Sequence, residues 1–328
     1  MPFDLPIGHK FSCFAMEGVG LNLPGRDPLD LGDGMWVVFD MPFDLPRHWE
    51  QWLGELETQR LRRCNLSLIA TSASPNPSVL DAENEMLTQR VLSLHYSLFM
   101  IEIFRCQRGL GLSGANVDGQ IEVRQVRQIE PHYSPDRFAP VSLTRDHFSH
   151  MARVAEGIRA VHIPGTEVNR LQKGFHAWIR AVQERYGDER LHQFVRAIEA
   201  VLKPSQGKVK RQFAHRCQLF VGESPLNEKM LTEIVNMRGL TEHLNPMEHA
   251  LEGYPEANRR TISQQRLCQV QLLASYVYAQ ILSDRGLREL FASDAQITTF
   301  WQLLPDERRA RWPSHLDWVR LIASRYLL

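Results

Sequence analysis

Leu191-His-Gln-Phe-Val-Arg-Ala-Ile-Glu-Ala-Val-Leu202 decides how most of this chain is read. Leu191, Phe194, Val195, Ile198 and Leu202 recur at the spacing of one helical face, so the segment predicts an amphipathic helix with an apolar stripe to bury. His192 and Arg196, one turn apart, fall on its polar side. Working outward, the same pattern returns in Phe148, Met151, Ala155, Ile158 and Val161, and again in Val168, Leu171, Phe175, Trp178 and Val182. Gly187-Asp188 and Pro204-Ser-Gln-Gly207 separate successive helices. Connections this short predict antiparallel neighbours.

Further along, Ser224-Pro225 reads as a helix start, Ser at the N-cap and Pro in the first turn. That helix runs to about His243 and stops before Asn245-Pro246. A polar loop from Glu248 to Arg260 precedes a long helix over about 261–283, striped by Leu267, Val270, Ala274, Val277 and Ile281. Two shorter helices, near 295–304 and 315–327, follow. Trp301, Trp312 and Trp318 read as packing residues rather than a base-stacking platform.

The first 75 residues are the least helical. Met35–Phe39 and Leu66–Ala70 are short β-like runs between turn-forming flanks. A helix is expected from about Val79 to Cys106, ended by the glycine-rich stretch Gly109–Gly119. Ile121–Val126 alternates apolar and polar, which suits a strand. Pro131–Pro140 is a linker, and the boundary falls there: an α+β region over 1–140 and a helical domain over 141–328. Met1-Pro-Phe-Asp-Leu-Pro6 recurs as Met41–Pro46, which is too short for a structural repeat.

The 328 residues are 43% hydrophobic and 23% charged, with 38 basic and 38 acidic side chains. Zero net charge gives no overall steering towards nucleic acid or anionic membrane, so any nucleic-acid site must be a local patch. Cys13, Cys64, Cys106, Cys217 and Cys268 are odd in number and scattered, which argues against a disulfide scaffold or a zinc ribbon. Neither a secretory leader nor a membrane span is expected, and the cytoplasm is the default location. Phosphate-loop, nucleophile-elbow, zincin and EF-hand signatures are missing, and no cofactor or metal is expected.

Arg238-Gly-Leu-Thr-Glu-His243 is one of four Arg-x4-His spacings, with Arg90/His95, Arg127/His132 and Arg145/His150. Its setting separates it from the others. Leu191–Ala200, then Pro204–Gly207, then Phe213-Ala-His-Arg-Cys217, then a helix over 231–243 ending in Arg-x4-His, resemble HEPN domains over roughly residues 145–290. The long helix over 260–283 takes the place of the family's last bundle helix. The resemblance implies a mainly α fold, a HEPN-like antiparallel helical bundle, with a smaller N-terminal α+β region. It also implies a homodimer and a metal-independent endoribonuclease in a toxin or defence role, with RNA as substrate and an antitoxin or other regulatory partner.

Arg238 and His243 are then the catalytic pair. RNA supplies its own nucleophile, the 2′-hydroxyl. Imidazole titrates near neutrality, and a guanidinium can hold the scissile phosphate bidentately. Glu199, His192 and Arg196 are supporting candidates. Lys208, Lys210, Arg211 and Arg216, with Lys203, form a basic stretch able to track phosphates. Positions five apart on a helix diverge by about 140°, so Arg238 and His243 share a cleft only if the helix loosens at Gly239 or if two copies pool their pairs. Gly239 stands where the family commonly has a polar residue. With the balanced charge, it keeps a second reading open: a catalytically inactive HEPN-like module that binds RNA or a protein.

Overall fold

The computed structural model describes residues 3–106, 109–130, 132–133, 137–162 and 168–327. The chain divides into two compact units, 1–131 with 140–159, and 132–139 with 160–328. The division departs from a boundary at 140 because the segment after Pro140 returns to the first unit. Leu143 donates its N–H to the Gly20 carbonyl at 2.8 Å, and Phe148 meets Phe39 edge-on at 5.8 Å. Most of the Pro131–Pro140 linker can be followed, but residues 131 and 134–136 of it lie outside the described residues.

The first unit is built on a six-stranded antiparallel sheet in the order β2-β3-β4-β1-β5-β6. The strands are β1 (His9–Glu17), β2 (Leu29–Asp30), β3 (Met35–Val38), β4 (Cys64–Ala73), β5 (Leu110–Val117) and β6 (Gln120–Gln128). The runs at Met35 and Leu66 lie in β3 and β4, and the alternating run at Ile121 lies in β6. β1 was not legible because both of its faces are covered. Phe11, Cys13 and Ala15 enter one core, with Trp49 and Leu53 of α1 (Arg47–Arg62) packed against it. On the other face Ser12 meets Thr88 at 3.1 Å and Phe14 meets His95 edge-on, both on α2 (Ala82–Ile101). A strand buried on both sides shows no alternation.

The glycine-rich stretch, expected only to end the preceding helix, is itself the strand β5, and α2 already stops at Ile101. A Cβ at Gly114 would lie 1.9 Å from the Glu122 carbonyl oxygen, beside the register shift in the β5–β6 pairing. Glycine in a strand marks such close approaches. Asp118-Gly119, both at positive φ, then close the hairpin. The two hexapeptides deliver like residues to one core: Leu5 is buried in it, and Phe3, Met41, Phe43 and Leu45 pack against it. Met1 and Pro2 lie outside the described residues.

α3 (Arg145–Val161) buries Phe148, Met151, Ala155 and Ile158, as its stripe predicts. Val168, counted in the next stripe, instead precedes its helix and is exposed.

Apart from an isolated antiparallel bridge between Phe138 and Tyr326, the described elements of the second unit are helices: α4 (Arg170–Gln183), α5 (Gly187–Leu202), α6 (Val209–Val221), α7 (Pro225–Thr241), a 3₁₀ turn at Met247–Leu251, α8 (Glu256–Ser283), α9 (Arg285–Phe291), α10 (Asp294–Gln302), α11 (Pro305–Arg311) and α12 (Trp318–Arg325). α8 begins earlier than its stripe suggests, because Pro255 at the N-cap starts it inside the polar segment. α5 buries all five of its stripe residues completely. Gly174 sets its closest neighbour: a Cβ there would fall 1.8 Å from Tyr278 Oη of α8 and 2.5 Å from Ala200 Cβ of α5. Tyr278 donates to the Ala197 carbonyl at 2.9 Å, and Trp178 to Ser275 Oγ at 3.0 Å. Trp301, Trp312 and Trp318 are buried packing residues. Trp301 donates to the Val201 carbonyl and Trp318 to Asn227 Oδ1. Cys13, Cys64, Cys217 and Cys268 are buried thiols.

Candidate functional site

α5 carries His192, Arg196, Glu199 and Lys203 at i, i+4, i+7 and i+11, which places them along one side of the helix. Opposite Glu199 stands Arg238 of α7. Its start is as the sequence predicts: Ser224 Oγ accepts the Asn227 N–H at 3.1 Å and Pro225 follows. Arg238 Nη2 lies 2.8 Å from Glu242 Oε1, one turn on, and 3.8 Å from Glu199 Oε2. Arg238 Nε and Glu199 Oε1 are buried without a hydrogen-bond partner. Among described residues, then, both side chains keep hydrogen-bonding capacity unused.

Burial shifts His192 and Glu199 of α5 in opposite directions, each towards its uncharged form. Burial lowers the His192 pKa below its ordinary value, and the positive charge of Arg238 lowers it further, so the imidazole is neutral near pH 7. Burial raises the Glu199 carboxyl above the usual range, against the pull of Arg238.

His243 is not among the groups gathered around Arg238. Gly239 does not loosen the helix: Glu242 N–H still bonds the Arg238 carbonyl at 3.1 Å, and only afterwards does the chain turn, with Asn245 N–H on the Leu240 carbonyl and Leu244 at φ +58°. His243 is exposed beyond that end, and its ring makes no hydrogen bond or ion pair with a described residue. Glu242, which the sequence reading passed over, takes the place beside Arg238. Its i,i+4 spacing was the available signal.

Arg196 and Glu199 also line a cleft of about 610 Å³ with Arg170, Lys173 and Asp294. Three cations there face two carboxylates. Asp294 is held by Arg170 at 3.2 Å and by Lys203 at 3.3 Å, while Lys173 and Arg196 are exposed. Arg170 and Lys173, one turn apart after the capping box Asn169/Gln172, had not been singled out.

The basic stretch splits in two. Lys208, Lys210 and Arg211 are exposed at the start of α6. Arg216 is structural. It donates to the Leu202 and Lys203 carbonyls, closing the end of α5, and lies 5.1 Å over the Trp301 ring. Among the described residues no three His, Cys, Asp or Glu side chains gather as a metal site, and no helix is long and apolar enough to cross a membrane. No family model, curated protein or solved structure matches this chain.

Proposed function

We propose that the helical unit is HEPN-like and that it is an endoribonuclease needing no metal. The observation that carries this is the meeting of Arg238 with His192, Arg196 and Glu199 beside the cationic cleft. Neutral His192 takes the proton of the RNA 2′-hydroxyl. The 2′-oxygen then bonds to phosphorus, the bond to the 5′-oxygen breaks, and a 2′,3′-cyclic phosphate forms. Arg238 and Arg196 bind the phosphate and stabilise its added charge. In a homodimer with the two α7 ends side by side, the exposed His243 of each copy supplies the proton that the leaving 5′-oxygen needs. Leu244, 94% exposed at that end, favours such burial.

One observation supports the second reading, an RNA-binding module without cleavage. Arg238 is already engaged by two carboxylates, which a phosphate must displace. The test is incubation of the full chain with single-stranded RNA in EDTA, beside Arg238→Ala, His192→Ala and His243→Ala. Cleavage lost in Arg238→Ala and His192→Ala supports the ribonuclease. Saturable binding with intact RNA supports the module, and neither binding nor cleavage ends both.

A further inference from the structure

The second copy of the hexapeptide has a use that its role in the core does not exhaust. Four of its residues, Met41, Phe43, Asp44 and Leu45, line a cavity of about 310 Å³ in the first unit, together with residues of α1. Met41, Phe43, Leu45 and Leu61 give the cavity an apolar surface. Leu61 is buried, and Phe43 is held against Phe11 with ring centroids 4.4 Å apart, so this surface is in place before anything binds. Burial pushes the Cys64 thiol up to about 12, so it stays protonated and adds to the apolar lining.

Two polar groups in the lining are left without partners. Asp40, Asp44 and Glu50 all line the cavity, but they are not alike. Glu50 is paired with Arg62 at 2.6 Å and Asp40 with Arg26 at 3.5 Å. The Asp44 side chain is exposed and makes no hydrogen bond or ion pair with a described residue. Thr58 is 7% exposed, and its Oγ1 is buried without a hydrogen-bond partner among the described residues. The usual acceptor for a helical threonine hydroxyl is the carbonyl four residues back. Here that residue is Gly54, whose φ of 80° and ψ of 170° leave the helix. A buried hydroxyl with no partner costs free energy that a ligand atom can recover.

We propose that this cavity binds a small apolar molecule carrying a primary ammonium group. The apolar body covers Met41, Phe43, Leu45 and Leu61. The ammonium has three N–H donors, enough for the Asp44 carboxylate and Thr58 Oγ1 together. An anionic head group would meet three carboxylates against the single guanidinium of Arg62 among the described lining residues. The site lies within the first unit and does not depend on the ribonuclease reading.

The probes are 2-phenylethylammonium, 2-phenylethanol and phenylacetate, which share one apolar body and differ in head group. Each is titrated into the full chain by calorimetry at pH 7 and constant ionic strength. Saturable binding of the ammonium is expected, at least fivefold tighter than the alcohol and tighter still than phenylacetate. Asp44→Asn should bring the ammonium and the alcohol within twofold of each other, with the melting temperature unchanged because Asp44 is exposed. Thr58→Val should weaken the ammonium at least twofold without lowering the melting temperature, because its hydroxyl has no bond to lose. No saturable binding of the ammonium, equal affinity for the alcohol, or a preference for the ammonium that survives Asp44→Asn would overturn the proposal.

Discussion

Arg238 Nη2 lies 3.8 Å from Glu199 Oε2 across the α5–α7 packing, yet Arg238 Nε and Glu199 Oε1 are both buried without a hydrogen-bond partner among the described residues. The pair is close enough for electrostatic attraction but too long for a hydrogen bond. Such a contact opens readily to a stronger acceptor, and a phosphate is one.

Glu199→Gln should therefore tighten RNA binding. It removes the charge that competes for Arg238 and leaves Glu242 in place. Because burial holds the Glu199 pKa above its unfolded value, the charged carboxylate costs stability once pH rises through that folded pKa. The variant should then be as stable as the parent or more so at pH 7, with the difference vanishing below about pH 4. Filter binding and urea midpoints at the two pH values check this. Weaker RNA binding would show that Glu199 contacts the RNA itself.

Acid should destabilise the helical unit through its histidines. Burial pushes His132 down to about 3, and lowers His192 and His176 as well. A folded pKa below the unfolded one means that the stabilisation is present above about pH 6.5 and lost as pH falls towards the folded value. Between pH 7.5 and 5, His132 alone should cost about 1–2 kcal/mol. Urea denaturation at the two pH values should show this loss, reduced in His132→Gln. Equal pH slopes for parent and variant would remove His132 from the effect.

Gly174→Ala should be strongly destabilising, by about 1–3 kcal/mol or more, since its Cβ meets Tyr278 Oη and Ala200 Cβ in a packed core. Gly239→Ala should be neutral or stabilise by up to about 1 kcal/mol. Gly239 is helical, and nothing lies within 4 Å of its added Cβ. Denaturant midpoints separate the two, and similar losses would contradict the helix packing.

Arg216→Ala should lower stability by about 1–3 kcal/mol by leaving the Leu202 and Lys203 carbonyls unmet, with little effect on RNA. Replacing Lys208, Lys210 and Arg211 together by Ala should do the reverse. The slope of log affinity against log salt should fall by about 2 for a single strand. An unchanged slope would take this stretch out of the RNA path.

The α7 end gives a prediction on assembly. Light scattering at micromolar concentration should find a homodimer, and Leu244→Asp should shift it towards monomer. A monomeric parent that still cleaves RNA would remove the shared-groove arrangement.

By itself the sequence determined the helical character of the second unit. Stripes such as Leu191/Phe194/Val195/Ile198/Leu202 record local periodicity, and Ser224-Pro225 records a local cap, so both are readable without knowing the neighbours. It also carried His192, Arg196, Glu199 and Arg238 as candidates, because polar residues on a striped helix stand out. Only the tertiary structure decided the rest. β1 is silent in sequence because two helices cover its two faces, and β5 hides behind glycines that serve a close strand approach. Glu242 rather than His243 stands beside Arg238, because α7 stays helical through Gly239. Arg170 of α4 and Lys203 at the end of α5 share Asp294 in one cleft because α4 and α5 pack side by side. Convergence of that kind is set by long-range packing, which leaves no periodic trace along the chain.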